Sequence, residues 1–234
     1  MTKGDREAMA FKLEIDPAEL YRNAVYWQAL YLSWLMEEQY PDDTSDWFDE
    51  TFVFRELLNA DGCLVFREQG RRFAGTLMEN DLVIEFPRRF QKKTASAFAE
   101  AGEESVRRVL GPACLEQMQV DSYFFCLRDQ GKEPLVTTAL WSEPEGVFSA
   151  DSPEDFHAQG GAFLMDVLAS GKAAVRDFLA EEVGTYPPEL LVRAELLYEA
   201  KLQGERFESF LASGKLETDL CGRRFIQKLK GFLG

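Results

Sequence analysis

Two groups of side chains have the types and spacing to do chemistry. Between residues 42 and 50, Asp42, Asp43, Asp46, Asp49 and Glu50 crowd around Trp47 and Phe48. Carboxylates at that density suit a hard cation, but the ligand spacing of an EF-hand loop and its central glycine are missing. The alternative chemistry is recognition. Aromatic side chains supply anchors, and carboxylates steer a basic partner toward them. Asp46, Trp47, Asp49 and Glu50 are therefore the candidate partner-binding residues. The competing expectation is that Trp47 and Phe48 pack in the core while the acids face water.

The second group is cationic. The triplet Arg-Arg-Phe occurs as Arg71-Arg72-Phe73, Arg88-Arg89-Phe90 and Arg223-Arg224-Phe225. Guanidinium forks match phosphate and carboxylate geometry. If the copies converge, Arg71, Arg72, Arg88, Arg89, Arg223 and Arg224 form an anion-binding island on an acidic protein. If they do not, the arginines pair with surplus Asp and Glu, and each Phe anchors the core.

Nucleophilic and metal chemistry have little material. His157 is the only histidine, so any Ser-His or Cys-His arrangement would have to use it, and no G-x-S-x-G elbow occurs. Cys63, Cys114, Cys126 and Cys221 are widely spaced with no C-x-x-C pair, which reads as buried thiols in a reducing cytoplasm. Ser170-Gly171-Lys172 and Ser213-Gly214-Lys215 lack the first glycine and the final Ser or Thr of a phosphate loop. They sit in a longer echo, Leu-Ala-Ser-Gly-Lys at 168–172 and 211–215, which reads as two helices ended by the same glycine cap. Gly160-Gly161 before a helix is too small a signal to assign an anion site. No catalytic residue, metal ligand or cofactor is assigned.

The scaffold that must position these groups is well supplied. The chain has 234 residues, of which 46% are hydrophobic and 13% aromatic, ample for a core. The formal net charge is −15. A field of that sign repels nucleic acid and anionic membrane surfaces, and it suits either a protein that must stay soluble or one whose partner is basic. Residues 1–9 lack the apolar run of a signal peptide. The most apolar stretch, Ala24 to Met36, is short and contains Gln28 and Ser33, so no membrane span is expected. A cytoplasmic location follows as the expectation.

The pattern of elements predicts an α+β fold. It has a central, mostly antiparallel sheet of about five strands, a long N-terminal helix and a helical C-terminal third. Phe11 to Ile15 reads as a short strand. Asp16-Pro17-Ala18-Glu19 is a helix start, with Asp16 capping and Pro17 at the first helical position. That helix should run to about Gln39, and its apolar residues on most sides place it centrally or at an interface. A second helix capped at Thr44 or Ser45 competes with a strand over Thr51 to Phe54, and Asp61-Gly62 reads as the following turn. Strands follow at Cys63–Arg67, Arg72–Met78 and Leu82–Phe86, then helices at Phe90–Ala101 and Glu103–Leu110, with a helical turn at Ala113–Met118. Two more strands, Val120–Arg128 and Pro134–Trp141, and a loop over Glu143–Pro153, with an extended reading open for Val147–Phe148, precede the terminal helices. The implied organisation is a disordered 1–10, a mixed 11–151, and a helical 152–234 packed on the same core or forming a small subdomain.

Two functions fit these observations. The first is a non-enzymatic protein that binds a protein partner, in the manner of an immunity protein, adaptor or chaperone. The second is an enzyme or binding protein for an anionic small molecule, using the arginines. The acidity, the aromatic helix and the lack of a recognised catalytic constellation favour the first.

Overall fold

The computed structural model describes residues 11–37, 45–48, 50–58, 60–79, 93–94, 135–136, 138–143, 146–149, 156–157, 161–183, 186–216 and 221–234. Nine strands occur among them: β1 (Phe11–Leu13), β2 (Ser45–Phe48), β3 (Thr51–Leu57), β4 (Ala60–Arg67), β5 (Arg72–Glu79), β6 (Lys93–Thr94), β7 (Leu135–Val136), β8 (Thr138–Glu143) and β9 (Gly146–Ser149). The helices are α1 (Pro17–Leu35), the π-helical α2 (Phe163–Leu168), α3 (Lys172–Val183), α4 (Pro188–Leu202), α5 (Phe207–Ala212) and α6 (Arg223–Leu233). The class is mixed helix and strand, with antiparallel pairing throughout. The main sheet has seven strands in the order β1-β9-β8-β5-β4-β3-β2, not about five, and β6 pairs separately with β7.

Helix α1 starts where its sequence dictates. The Asp16 Oδ1 accepts from the Ala18 N–H at 2.9 Å, and Pro17 opens the first turn. It ends at Leu35, earlier than the expected Gln39. Only Glu19 and Arg22 are exposed along its length. A segment with almost no wet side must satisfy its own backbone groups, and a helix does so internally. At about 1.5 Å per residue its 19 residues span about 28 Å. The eight residues of β4 span about 26 Å at about 3.3 Å each. The first turns of α1 lie beside the Phe66 end of β4 and the turn that follows it. Tyr21 meets Phe66 at the end of β4 (ring centroids 5.5 Å apart), and Gly70, in the next turn, abuts Pro17 and Ala18. Farther along, Trp27 Nε1 donates to Ser45 Oγ at 3.1 Å.

Of the two readings of this segment, the strand over Thr51–Phe54 holds, within a β2–β3 hairpin, and the helix from Thr44 or Ser45 does not. Phe52 and Phe54 alternate along β3 with both rings fully buried, which a strand achieves by its two-residue period. Asp61-Gly62 is not a turn but lies inside β4. The Phe54 ring covers Gly62 so closely that a Cβ there would fall 2.1 Å from it. The turn comes earlier, where Leu58 takes a φ of 49°. Lys93–Thr94 is extended rather than helical, and the extended reading of Val147–Phe148 holds, as part of β9. The expectations for 1–10, Leu82–Phe86, Glu103–Leu110, Ala113–Met118 and Val120–Arg128 lie outside the described residues.

The terminal helices cover what α1 leaves open. Core residues of the sheet, of α1 and of α2 to α6 belong to one contiguous apolar cluster. The last helix buries Phe225, Lys228, Leu229, Phe232 and Leu233, the i, i+3, i+4, i+7, i+8 stripe of an amphipathic helix. It approaches β2 so closely that a Cβ on Gly231 would lie 2.6 Å from the Trp47 carbonyl oxygen.

That approach makes a prediction. Replacing a helical glycine with alanine normally gains about 1 kcal/mol. Here the methyl would collide with backbone, so Gly231→Ala should instead destabilise by about 1–3 kcal/mol. A lower urea midpoint is the expected result; a raised midpoint would show that α6 does not pack on β2 as described.

Candidate functional site

Of the residues expected to meet a partner, Asp46, Trp47 and Glu50 are used internally. Trp47 is 0% exposed, so it is a core residue and not a surface anchor. Its ring stacks on Phe66 (6.2 Å, 9°) and meets Tyr21 and Phe232 edge-on at 6.1 and 5.8 Å. Asp46 is half-buried, and its Oδ2 lies 3.2 Å from the Lys228 Nζ, which also donates to the Ser45 carbonyl at 2.9 Å. Glu50 pairs with Arg67. Asp49 and the Phe48 side chain lie outside the described residues.

Lys228 was not legible as a structural residue. It lies in the basic run of the C-terminal helix, yet its side chain is only 7% exposed. Its position on the apolar stripe, three residues after Phe225 and four before Phe232, was the available signal. A buried ammonium is tolerated where a carboxylate and a carbonyl both receive it, as here.

The Arg-Arg-Phe copies fall in different settings. Arg71 is exposed in the turn before β5. Arg223 is exposed and Arg224 half-buried in the first turn of α6. Arg88, Arg89 and the Arg72 side chain lie outside the described residues. Phe73 and Phe225 are both buried, so these two copies deliver a core anchor each.

His157 Nε2 lies 3.1 Å from Asp166 Oδ2, with both groups more than half exposed. Among the described residues no three His, Cys, Asp or Glu side chains gather as a metal site, and no helix is long and apolar enough to cross a membrane. Cys221 is half-buried, and burial pushes its thiol above the usual range. Gly171 and Gly214 have φ of +96° and +67°, so the two Ser-Gly-Lys echoes are left-handed turns ending helices.

What the sequence did not single out is the outward face of α4. Val192 is 63% exposed, and Leu196, one turn on, is half-buried. Glu189 and Glu199 flank them and are exposed. The cations of this helix are turned away: Arg193 pairs with Glu37 at the end of α1, and Lys201 lies 5.2 Å from the Trp47 ring centroid. The face therefore shows carboxylates around two aliphatic side chains at i, i+4.

The tyrosines behind this surface are displaced in their ionisation. Burial, reinforced by the Glu50 carboxylate, pushes Tyr21 up to about 12. Burial, with Glu195 next in weight, pushes Tyr26 up to about 12. Burial also raises Tyr186, whose hydroxyl donates to the Leu30 carbonyl.

Comparison with protein-family models, with curated proteins and with solved structures finds no match.

Two outcomes follow. Lys228→Met removes the charge that Asp46 and the Ser45 carbonyl receive and should lower stability by about 2–4 kcal/mol. Urea unfolding checks this, and a loss under about 0.5 kcal/mol, the size expected of a surface site, would count against a buried anchoring role. Because Tyr21 and Tyr26 keep their protons longer in the folded state, their contribution is complete below pH 10 and is lost as pH rises toward about 12. Midpoints of urea unfolding followed across that interval should fall together with the appearance of tyrosinate absorbance. Ring resonances of Tyr21 or Tyr26 that titrate near pH 10 in the folded protein would contradict the burial of these hydroxyls.

Proposed function

We propose that this chain is a non-enzymatic acidic protein that binds a basic protein segment on the outward face of α4. The observation that supports it most is the arrangement of Glu189, Val192, Leu196 and Glu199, with Arg193 and Lys201 withdrawn to intramolecular partners. Aliphatic side chains at i, i+4 supply buried area, and the carboxylates select and steer a cationic partner. The net charge of −15 extends that steering beyond the contact itself.

Elsewhere on the surface the same bias recurs. Arg67 is held by Glu50, Arg176 by Asp177 and Lys215 by Glu205. Cations paired in this way contribute little to an outward positive field. The partner is thus a positively charged amphipathic segment, as an immunity protein, adaptor or chaperone would meet. We place this activity in the cytoplasm, where widely spaced thiols stay reduced. We take 152–234 to be packed on the same core as 11–151, since α1 and α4 lie within one apolar cluster.

The experiment is affinity capture from the native host, comparing the unaltered chain with Val192→Lys/Leu196→Lys. Exposed substitutions of this kind change stability by about 0.5 kcal/mol or less at Val192. A basic partner retained by the unaltered chain, released by salt and lost in the double variant is the expected result. Equal capture by both chains, or no basic partner at all, would sink the proposal.

A further inference from the structure

Lys172 begins α3 directly after Gly171, and its ammonium group has an unusual set of neighbours. Its Nζ lies 3.8 Å from the centroid of the Tyr198 ring and 4.2 Å from that of Tyr26. The Glu195 carboxylate oxygens are 3.2 and 3.3 Å away. The two rings meet edge to face at 82°, with centroids 5.5 Å apart. Two π faces nearly at right angles and one carboxylate therefore converge on a single cation.

This is the geometry by which aromatic cages recognise ammonium groups. An ordinary surface ion pair requires only the carboxylate and contributes little. Here the walls and the occupant differ in kind. Tyr26 is buried in α1, while Tyr198 and Glu195 stand one turn apart on α4, packed against α1. The walls are thus fixed by the packing of two helices. The occupant is a long, flexible side chain that remains 39% exposed.

We infer that Tyr26, Tyr198 and Glu195 form a recognition cage for an alkylammonium group, with Lys172 as its built-in competitor. The ligand class is a lysine side chain or a methylated amine. Glu195 stands between Val192 and Glu199 in sequence, so the cage borders the α4 face assigned above to a basic partner. The cage does not depend on that assignment, because its test uses a small probe and no partner.

Displacement sets the affinity. A tethered side chain acts at an effective concentration in the millimolar range, so a free ammonium ion must outcompete it. Tetramethylammonium chloride, titrated against a sodium chloride control, is the probe, with the Tyr26 and Tyr198 ring resonances followed by NMR. Lys172→Ala should bind the probe about tenfold more tightly than the unaltered chain, and Lys172→Ala/Tyr198→Ala should not bind it. Equal titration of the unaltered chain and Lys172→Ala overturns the inference, as does no titration of a folded Lys172→Ala. A measurement on the unaltered protein guards against a variant that fails to fold. The Lys172 ε-methylene resonances should be shifted upfield by the ring currents of both tyrosines, and random-coil values there also overturn it. Failure of this test leaves the α4 capture experiment unaffected, so the two ideas fall separately.

Discussion

Helix α1 has almost no contact with water, and everything around it is arranged by that fact. A helix buried on all sides needs an element on each of them, so the sheet lies along one flank and the C-terminal helices close the others. The joints are specific. Asn23 donates to the Leu168 carbonyl at the end of α2, at 2.8 Å, and Trp27 donates to Ser45 on β2. The Leu30 carbonyl receives the Tyr186 hydroxyl, and the Tyr31 ring faces the Lys228 ammonium of α6. At these four places a polar or cation–π contact is set within the apolar packing around α1. Such contacts fix which element goes where, because an unpartnered buried polar group costs about 1–3 kcal/mol. Gln28 is the exception on this helix: among the described residues neither its Nε2 nor its Oε1 has a hydrogen-bond partner, although the side chain is fully buried.

Local signals in the sequence were legible where the physics is local. The Asp16 cap, the Pro17 start and the glycine turns at Gly171 and Gly214 all depend on a few adjacent residues. Signals failed where distant groups decide. Gly62 has the composition of a turn, but the Phe54 ring needs a residue without a side chain on the neighbouring strand, so it sits mid-strand. Trp47 has the look of an exposed anchor among acids, yet Tyr21, Phe66 and Phe232 enclose it. Those rings come from α1, β4 and α6, and no spacing within 42–50 encodes them.

The candidate sites were harder to read for the same reason. The Ser-Gly-Lys echo correctly identified two helix ends, but the rings around Lys172 come from α1 and α4. The α4 face was hidden by an ordinary helical pattern, in which Arg193 and Lys201 mask the acidic bias until their intramolecular partners are known. Charge in this protein is therefore best understood as a difference between what each side chain carries and what its own fold already neutralises. Asp46 is spent on Lys228 and Glu50 on Arg67, whereas no ion pair among the described residues holds Glu189 or Glu199.

The contact between α6 and β2 also covers the end of the sheet. Strand β2 ends the sheet, and the Ser45 and Trp47 carbonyls, on alternate residues, point away from β3. Lys228 occupies one, and the backbone at Gly231 crowds the other. An unpaired strand border of this kind is a template for another chain to add to. Losing the last turns of the protein to a protease would do more than trim a tail: it would uncover that border and leave it open to strand-to-strand pairing.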